Sequence, residues 1–443
     1  MSAAAAVAPW STEKQRSYVP AVPESLEEAG LPASLVEQLI LKRLYFEGET
    51  TGRELASALG LKFSLIEPVL DLAKRQRLVE VKRSSGFGSV SSVFVVSEAG
   101  RQRAREYLEA NQYAGRAPVP IAQYSEGVRA QRAPEGWLTK NALAEAFRQV
   151  VINPKTLTQM GPAINSGKSF LIYGQPGNGK TYLAEAMAQV EQAPFFVPYA
   201  IEVQGQIIQM FDVLYHKVVE EAPEAAVSLA EPGYDARWVK CRRPFIITGG
   251  ELTLDMLDLS YNATAKVYDA AFQLKANNGI YLIDDFGRQK VTPAELLNRW
   301  IIPMDRHIDY LTFATGGKVA IPFETFLIFS TNLHPDKLGD EAFLRRIQYK
   351  MFLPNPTEQE FVEIFERFCR SVGAVCSRDL IERFLEKRYR RTGKRLRRCH
   401  PRDVITHAVD WIRFECLPME LNDQVLDHAF ESCFLEQADI ADE

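Results

Sequence analysis

Hydrophobic positions change period several times along the chain. Leu35, Leu39, Ile40 and Leu44 recur at helical spacing between Ser34 and Phe46. Thr51 opens a second helical stretch, closed by Gly60. Ser64-Leu-Ile-Glu67 has capping-box spacing, which predicts a third helix running to about Arg77 with Pro68 in its first turn. From Leu78 to Arg83 the pattern alternates. It turns over Ser84–Gly88 and returns through Val90–Val96, as a hairpin does. A basic helix is expected from Glu98 to Asn111. Residues 1–30 are Ala/Pro-rich without periodicity and predict a flexible arm. Residues 113–135 are Pro/Ala/Gly-rich and predict a semi-stiff linker.

Helical patterns resume at Leu138. Ser169-Phe-Leu-Ile-Tyr173 then predicts a buried strand that breaks at Gly174, and Lys180-Thr181 opens a helix. Pro194–Pro198 predicts a second strand, and Gln206–Glu221 a helix. Between Asp235 and Thr248 the cations Arg237, Lys240, Arg242 and Arg243 alternate with Trp238 and apolar side chains. Such a segment faces a pore or nucleic acid, or forms a hairpin with one buried face. Helix is expected again from Gly250 through Ala276. Gly279-Ile-Tyr-Leu-Ile-Asp284-Asp285 predicts a buried strand ending in paired carboxylates, and Asp309–Phe323 a hairpin.

Composition narrows the class. At 443 residues the chain holds about three domains. Its net charge of −5 gives no global pull toward nucleic acid, so any such binding must come from local patches. No apolar run reaches the ~18–20 residues that span a bilayer. The N-terminus lacks the basic region of a signal peptide, so the expected compartment is the cytoplasm, with no membrane partner. Six cysteines are scattered without a C-x-x-C pair. Cys399-His400 and His407 have no second pair at ligand spacing, and buried reduced thiols are expected.

The chemistry concentrates at Gly174-Gln-Pro176-Gly177-Asn178-Gly179-Lys180-Thr181. This is G-x-x-x-x-G-K-[ST] between a predicted strand and a predicted helix. Glycines let backbone N–H groups converge on an anion, and the helix start adds partial positive charge. Lys180 supplies charge for phosphates, and Thr181 offers a hydroxyl to Mg²⁺. Asp284, at a strand end beside that loop, would complete the Mg²⁺ shell, and Asp285 would orient an attacking water.

These residues resemble an AAA+ ATPase. The resemblance continues through Phe326-Leu-Ile-Phe-Ser-Thr-Asn332, similar to the strand ending in the sensor-1 residue, and Asp340-Glu-Ala-Phe-Leu-Arg345-Arg346, similar to the segment that delivers an arginine finger. The Asp309 hairpin is placed like that of the pre-sensor-1 clade. Thr357-Glu-Gln-Glu360 would cap the first helix of an all-helical lid. Arg402, in His400-Pro-Arg402, is placed like the sensor-2 arginine. The fold so implied is an α/β P-loop NTPase core over 136–353, a parallel sheet flanked by helices, with a C-terminal helical lid over 354–443. The resemblance implies ATP bound through Gly174, Pro176, Gly177, Asn178, Gly179, Lys180, Thr181, Tyr182 and Arg402. It implies Mg²⁺ on Thr181 and Asp284, and catalysis by Asp285, Asn332 and Arg345 or Arg346. A finger acting on a neighbour implies a ring-like homo-oligomer, expected as a hexamer. The family has Glu where Asp285 stands. A carboxylate one methylene further back implies slow hydrolysis unless the backbone compensates, and Asp285→Glu is expected to speed it.

The pattern over 31–112 resembles a winged helix-turn-helix module. Its third helix carries Glu67 and Asp71, which oppose phosphates, while Lys74, Arg75, Arg77, Lys82 and Arg83 gather near the helix end and wing. The basic run Lys387–Arg398 faces ATP, an acidic neighbour or nucleic acid, or is a solvated helix end. Two functions remain open: an ATP-driven remodeller recruited to DNA, and a protein remodeller or assembly switch whose winged helix docks on a protein partner.

Overall fold

The computed structural model describes residues 18–84, 88–134, 136–190, 193–219, 233–339 and 341–434. The chain divides into two compact units. One gathers the described residues up to Arg132 with those of Ala193–Arg242 and Asn262–Tyr268. The other gathers those of Ala133–Gln192, Arg243–Tyr261 and Asp269–Glu443.

In the first unit, helices Ala33–Glu47, Gly52–Leu59 and Phe63–Arg75 precede strands Val79–Arg83 and Val93–Val96. Thr50–Thr51 adds a short strand, giving the antiparallel order Thr50–Thr51, Val93–Val96, Val79–Arg83. Thr51 caps its helix in a reciprocal box with Glu54. The third helix starts at Phe63, earlier than the Ser64–Glu67 spacing suggests. Its N-cap is Lys62 with no side-chain cap, so Pro68 lies inside the helix and not in its first turn. Helix Glu98–Ala110 follows, capped by Ser97. Val36, Leu39, Leu55, Ile66, Leu70 and Phe94 share one core. Residues 85–87, in the turn of the expected hairpin, lie outside the described residues.

Several expectations for this unit change. Residues 1–17 of the expected arm lie outside the described residues. Beyond them the chain is packed: Ala29 is fully buried, and Asp235 N–H donates to Pro20 O at 3.0 Å. The expected linker carries the helix Ile121–Ala130, whose Tyr124 and Val128 are buried. The strand Phe195–Pro198 exists, but it pairs antiparallel with Trp238–Cys241 inside this unit and not within the sheet of the second. Gln206–Gln209 is a strand, not the start of a helix, and pairs with Ala200–Val203. Gln204 and Gly205 both have positive φ, 52° and 79°, which sets the two-residue hairpin turn and overrides the helical spacing. Residues 220 and 221, the end of that expected helix, lie outside the described residues.

The second unit holds a five-stranded sheet in the order Phe245–Thr248, Ile280–Ile283, Phe326–Thr331, Phe170–Tyr173, Tyr349–Phe352. Every neighbouring pair is parallel. Central residues such as Leu171, Leu282 and Ile328 are fully buried, so these strands read as continuous apolar runs. Phe245–Thr248, expected within the basic segment, is thus an edge strand of this sheet. The helix expected through Ala276 reduces to Phe272–Lys275, after the short strands Ser260–Asn262 and Val267–Asp269. The hairpin Ile308–Thr312 with Lys318–Pro322 forms as its pattern predicts.

C-terminal helices Glu358–Val372, Arg378–Leu385, His400–Phe414 and Asp423–Cys433 enclose their own core around Phe361, Phe365, Phe384, Ile405 and Leu426. Thr357 and Glu360 form the expected capping box. Several cations of the basic run Lys387–Arg398 pair with acids of these helices. Lys387 and Arg388 meet Asp427, Arg390 meets Glu358, and Arg398 meets Glu360 at 3.1 Å.

Candidate functional site

Three parallel strands end together and set the site. Phe170–Tyr173 runs into the glycine loop, and Gly174 N–H donates to Thr331 O at the end of the next strand, at 3.2 Å. Gly174 cannot carry a side chain, because a Cβ there would lie 2.5 Å from Leu353 O. Gly177 has φ 77°, and a Cβ there would meet Cys399 Sγ at 2.6 Å. Helix Lys180–Ala188 then begins with Gly179 as its N-cap and no side chain on its first N–H groups. A loop of backbone donors at a helix start is an anion cradle.

Lys180 Nζ lies within this cradle. It donates to Gly174 O at 3.1 Å, Gln175 O at 3.2 Å and Asn332 Oδ1 at 2.5 Å. Burial holds its pKa below the usual lysine value, against the raising pull of Asp284 and Asp285. Thr181 Oγ1 donates to Asp284 Oδ2 at 2.7 Å, and Asn332 Nδ2 donates to Asp285 Oδ1 at 3.0 Å. Asn332 therefore links Lys180 to Asp285. Asp285 has φ 47°, in the left-handed region that Asp tolerates better than most residues. Its N–H donates to Asp284 Oδ1 at 3.0 Å.

Lys180, Thr181, Asp284, Asp285 and Asn332 are thus brought together around Gly174–Gly179. Asn178 is buried, donating from Nδ2 to Asn355 Oδ1 at 2.8 Å, and its Oδ1 has no partner among the described residues. Tyr182 is exposed on the loop helix. Pro176 O accepts from Arg397 Nη1 at 2.6 Å. Arg402 is not brought to the loop: its guanidinium pairs with Asp403 at 3.2 Å and is largely exposed. Arg345 is exposed, whereas Arg346 pairs with Asp305 at 3.2 Å. Asp340 lies outside the described residues.

Two contributions escaped the sequence reading. Arg397 reaches the loop, and Cys399 N–H donates to Gly177 O at 2.9 Å. Inside a run of like charges, spacing could not single out Arg397. Gln289 donates from Nε2 to Asp284 O at 2.9 Å and accepts Gly287 N–H at 2.8 Å, bracing the turn that carries both acids. A polar residue shortly after a strand-end turn was its only signal.

The parallel sheet, the glycine loop opening a helix and the paired acids one strand further along the sheet fit a P-loop NTPase core. Residues 357–432 match a family described as a domain of unknown function, DUF8689. No curated protein matches the sequence. Similar solved structures include RuvB of Thermotoga maritima, titled a Holliday junction branch migration motor, at 16% identity over 68% of this chain and 72% of that one, TM-score 0.35. A mutant of the same RuvB is similar at 16% identity over 63% and 69%, TM-score 0.36. NtrX from Brucella abortus is similar at 12% identity over 78% of this chain and 58% of that one, TM-score 0.35. Among the described residues no helix is long and apolar enough to cross a membrane.

Proposed function

We propose that this chain is a magnesium-dependent AAA+ ATPase that works as a ring-like homo-oligomer, expected as a hexamer, and remodels a protein target. The observation that carries this reading is the linked set Thr181–Asp284 and Lys180–Asn332–Asp285 around one anion cradle. ATP phosphates would meet the backbone N–H groups from Gly177 to Thr181, and Lys180 would leave its carbonyl acceptors for them. The hydroxyl of Thr181 and the carboxylate of Asp284 are adjacent oxygen donors, which suits Mg²⁺; the ion would spread the phosphate charge. Asp285 would orient the attacking water, held in place by Asn332. Arg345 is the better candidate to act on a neighbour's nucleotide, because Asp305 already holds Arg346. Arg397, which donates to Pro176 O, would take the role at the loop expected of Arg402.

Within the N-terminal unit, residues 31–112 would be a winged helix that docks on protein rather than DNA. Its wing cations Lys82 and Arg83 both pair with Glu49, and Lys74 pairs with Asp71 at 2.6 Å. The outward face of the third helix exposes Pro68 and Leu72. Three of the five cations gathered there are thus paired beside an apolar face, and the exposed Arg75 and Arg77 alone give little of the phosphate neutralisation that drives DNA binding. Steady-state ATP hydrolysis, measured with and without duplex DNA at low and moderate salt, tests this. Hydrolysis indifferent to DNA is expected. Stimulation that fades with salt would overturn protein docking and restore recruitment to DNA.

A further inference from the structure

The phosphate loop is bonded from behind by the chain that leads into and through the C-terminal helices. In a trans peptide the C=O and the following N–H point in opposite directions. Arg397 Nη1 on Pro176 O, at 2.6 Å, and Cys399 N–H on Gly177 O, at 2.9 Å, therefore meet the loop on the side away from the N–H groups of Gly177 and Asn178. A second segment adds to this support. Between strand Tyr349–Phe352 and helix Glu358–Val372, the hinge Leu353-Pro354-Asn355-Pro356 passes along the loop. Leu353 N–H donates to Tyr173 O at 2.8 Å, and Leu353 O occupies the space that a Cβ on Gly174 would need. Asn178 Nδ2 donates to Asn355 Oδ1 at 2.8 Å.

Among the described residues, this is the only hydrogen bond of the Asn178 side chain: Asn178 is 1% exposed, and its Oδ1 has no partner. Pro354 and Pro356 restrict the backbone on both sides of Asn355, which makes its amide oxygen a fixed acceptor. Without that acceptor both ends of a buried amide are unpaired, and the side chain is driven out toward water. The Asn178 N–H belongs to the same residue and moves with it. A phosphate donor is therefore placed by a side chain that has a single anchor.

We propose that Asn355 is a positioning residue for nucleotide binding. Through Asn178 it holds the turn Gly177–Gly179 in its anion-binding shape before a nucleotide arrives. This rests on the reading of the loop as the ATP site. Donors already in place lose little freedom when phosphates bind, so Asn355 acts on affinity more than on the chemical step. The hinge is also where the core passes into the C-terminal helices. One side-chain pair therefore ties the start of those helices to the shape of the phosphate loop.

The test is ADP binding by titration calorimetry and steady-state ATP hydrolysis, both on the full chain. In Asn355→Ala, Kd for ADP and KM for ATP should rise about tenfold, while kcat falls less than about threefold. Asn355→Leu, which fills the space without the acceptor, should bind as weakly, so the test stands if the smaller side chain fails to fold. Asn355→Asp keeps an acceptor for Asn178 Nδ2 and should stay within about threefold of the wild-type Kd. In an Asn178→Ala background, Asn355→Ala should change Kd by less than about twofold, because the residue it acts through is gone. A wild-type Kd in both Asn355→Ala and Asn355→Leu, or an equal loss in the two backgrounds, would overturn the proposal and leave the ATP site standing. A wild-type chain that binds neither ATP nor ADP would overturn the site and the proposal together.

Discussion

Lys180 and Arg237 are both cations taken out of water, 7% and 1% exposed, but their surroundings differ in kind. Arg237, in the N-terminal unit, has its counterion: Nη2 meets Asp235 Oδ2 at 2.7 Å, and Nε also reaches that carboxylate. Its other donors go to Ala29 O, Pro118 O and Gln123 Oε1. Charge and donors are both satisfied, so Arg237 ties three chain segments together and has nothing left for a ligand. Lys180 has neutral acceptors only, while Asp284 and Asp285 are near enough to act on its charge without bonding it. A buried cation short of a bonded anion, at a loop of convergent N–H groups, is a place for phosphate. Lys42 shows why the loop matters. It is also buried, bonded among the described residues only to Asn111 Oδ1 at 2.8 Å, and burial pushes its pKa down to about 8. It lies in a helical core and has no cradle, so burial acts on its charge with no phosphate site to answer it.

If this distinction is sound, removing each cation has a different cost. Arg237→Met leaves the Asp235 carboxylate buried and alone, and should destabilise the N-terminal unit by about 3–5 kcal/mol in chemical denaturation. Adding Asp235→Leu should restore much of that loss. An unchanged denaturation midpoint for the single variant would show that Arg237 is no strut. Lys180→Ala should leave stability nearly unchanged and weaken nucleotide binding by about 1.5–3 kcal/mol, roughly 10- to 150-fold in titration calorimetry. Wild-type hydrolysis in that variant would overturn the assignment of the site.

The same contrast explains what the sequence could disclose. Asp284, Asp285 and Asn332 were legible because each sits at a strand end, where buried apolar runs give way to polar residues, and Lys180 and Thr181 because they open a helix straight after a glycine-rich loop. The path of the chain between Gln192 and Arg243 was not. Its strands look like those of the core, and nothing local says that Phe195–Pro198 pairs with Trp238–Cys241 or that Phe245–Thr248 takes the sheet edge. Arg237 read as one of several cations alternating with apolar side chains, because its counterion lies two residues away and its carbonyl acceptors lie far off in sequence. Arg397 and Arg402 show the limit of motif matching. The motif selected the residue that pairs with Asp403, while the residue at the loop stood inside a charge run.

The smallest expected effect lies at Asp285, where sequence and geometry disagree. The sequence alone predicts that the shorter acid slows hydrolysis and that Asp285→Glu speeds it. The left-handed backbone at φ 47° changes that expectation. It turns the short carboxylate toward Asn332, which holds it at 3.0 Å, so the conformation supplies reach that a methylene would otherwise give. A Glu at the same φ suffers the Cβ crowding of that region, about 1–2 kcal/mol, without the local hydrogen bonding that lets Asp adopt it. Relieving the crowding would move the carboxylate off Asn332. Asp285→Glu should therefore lower kcat, by about tenfold for a loss near 1.4 kcal/mol of transition-state stabilisation, with nucleotide affinity nearly unchanged. A rise in kcat would show that the missing methylene, and not the backbone, sets the position of the water.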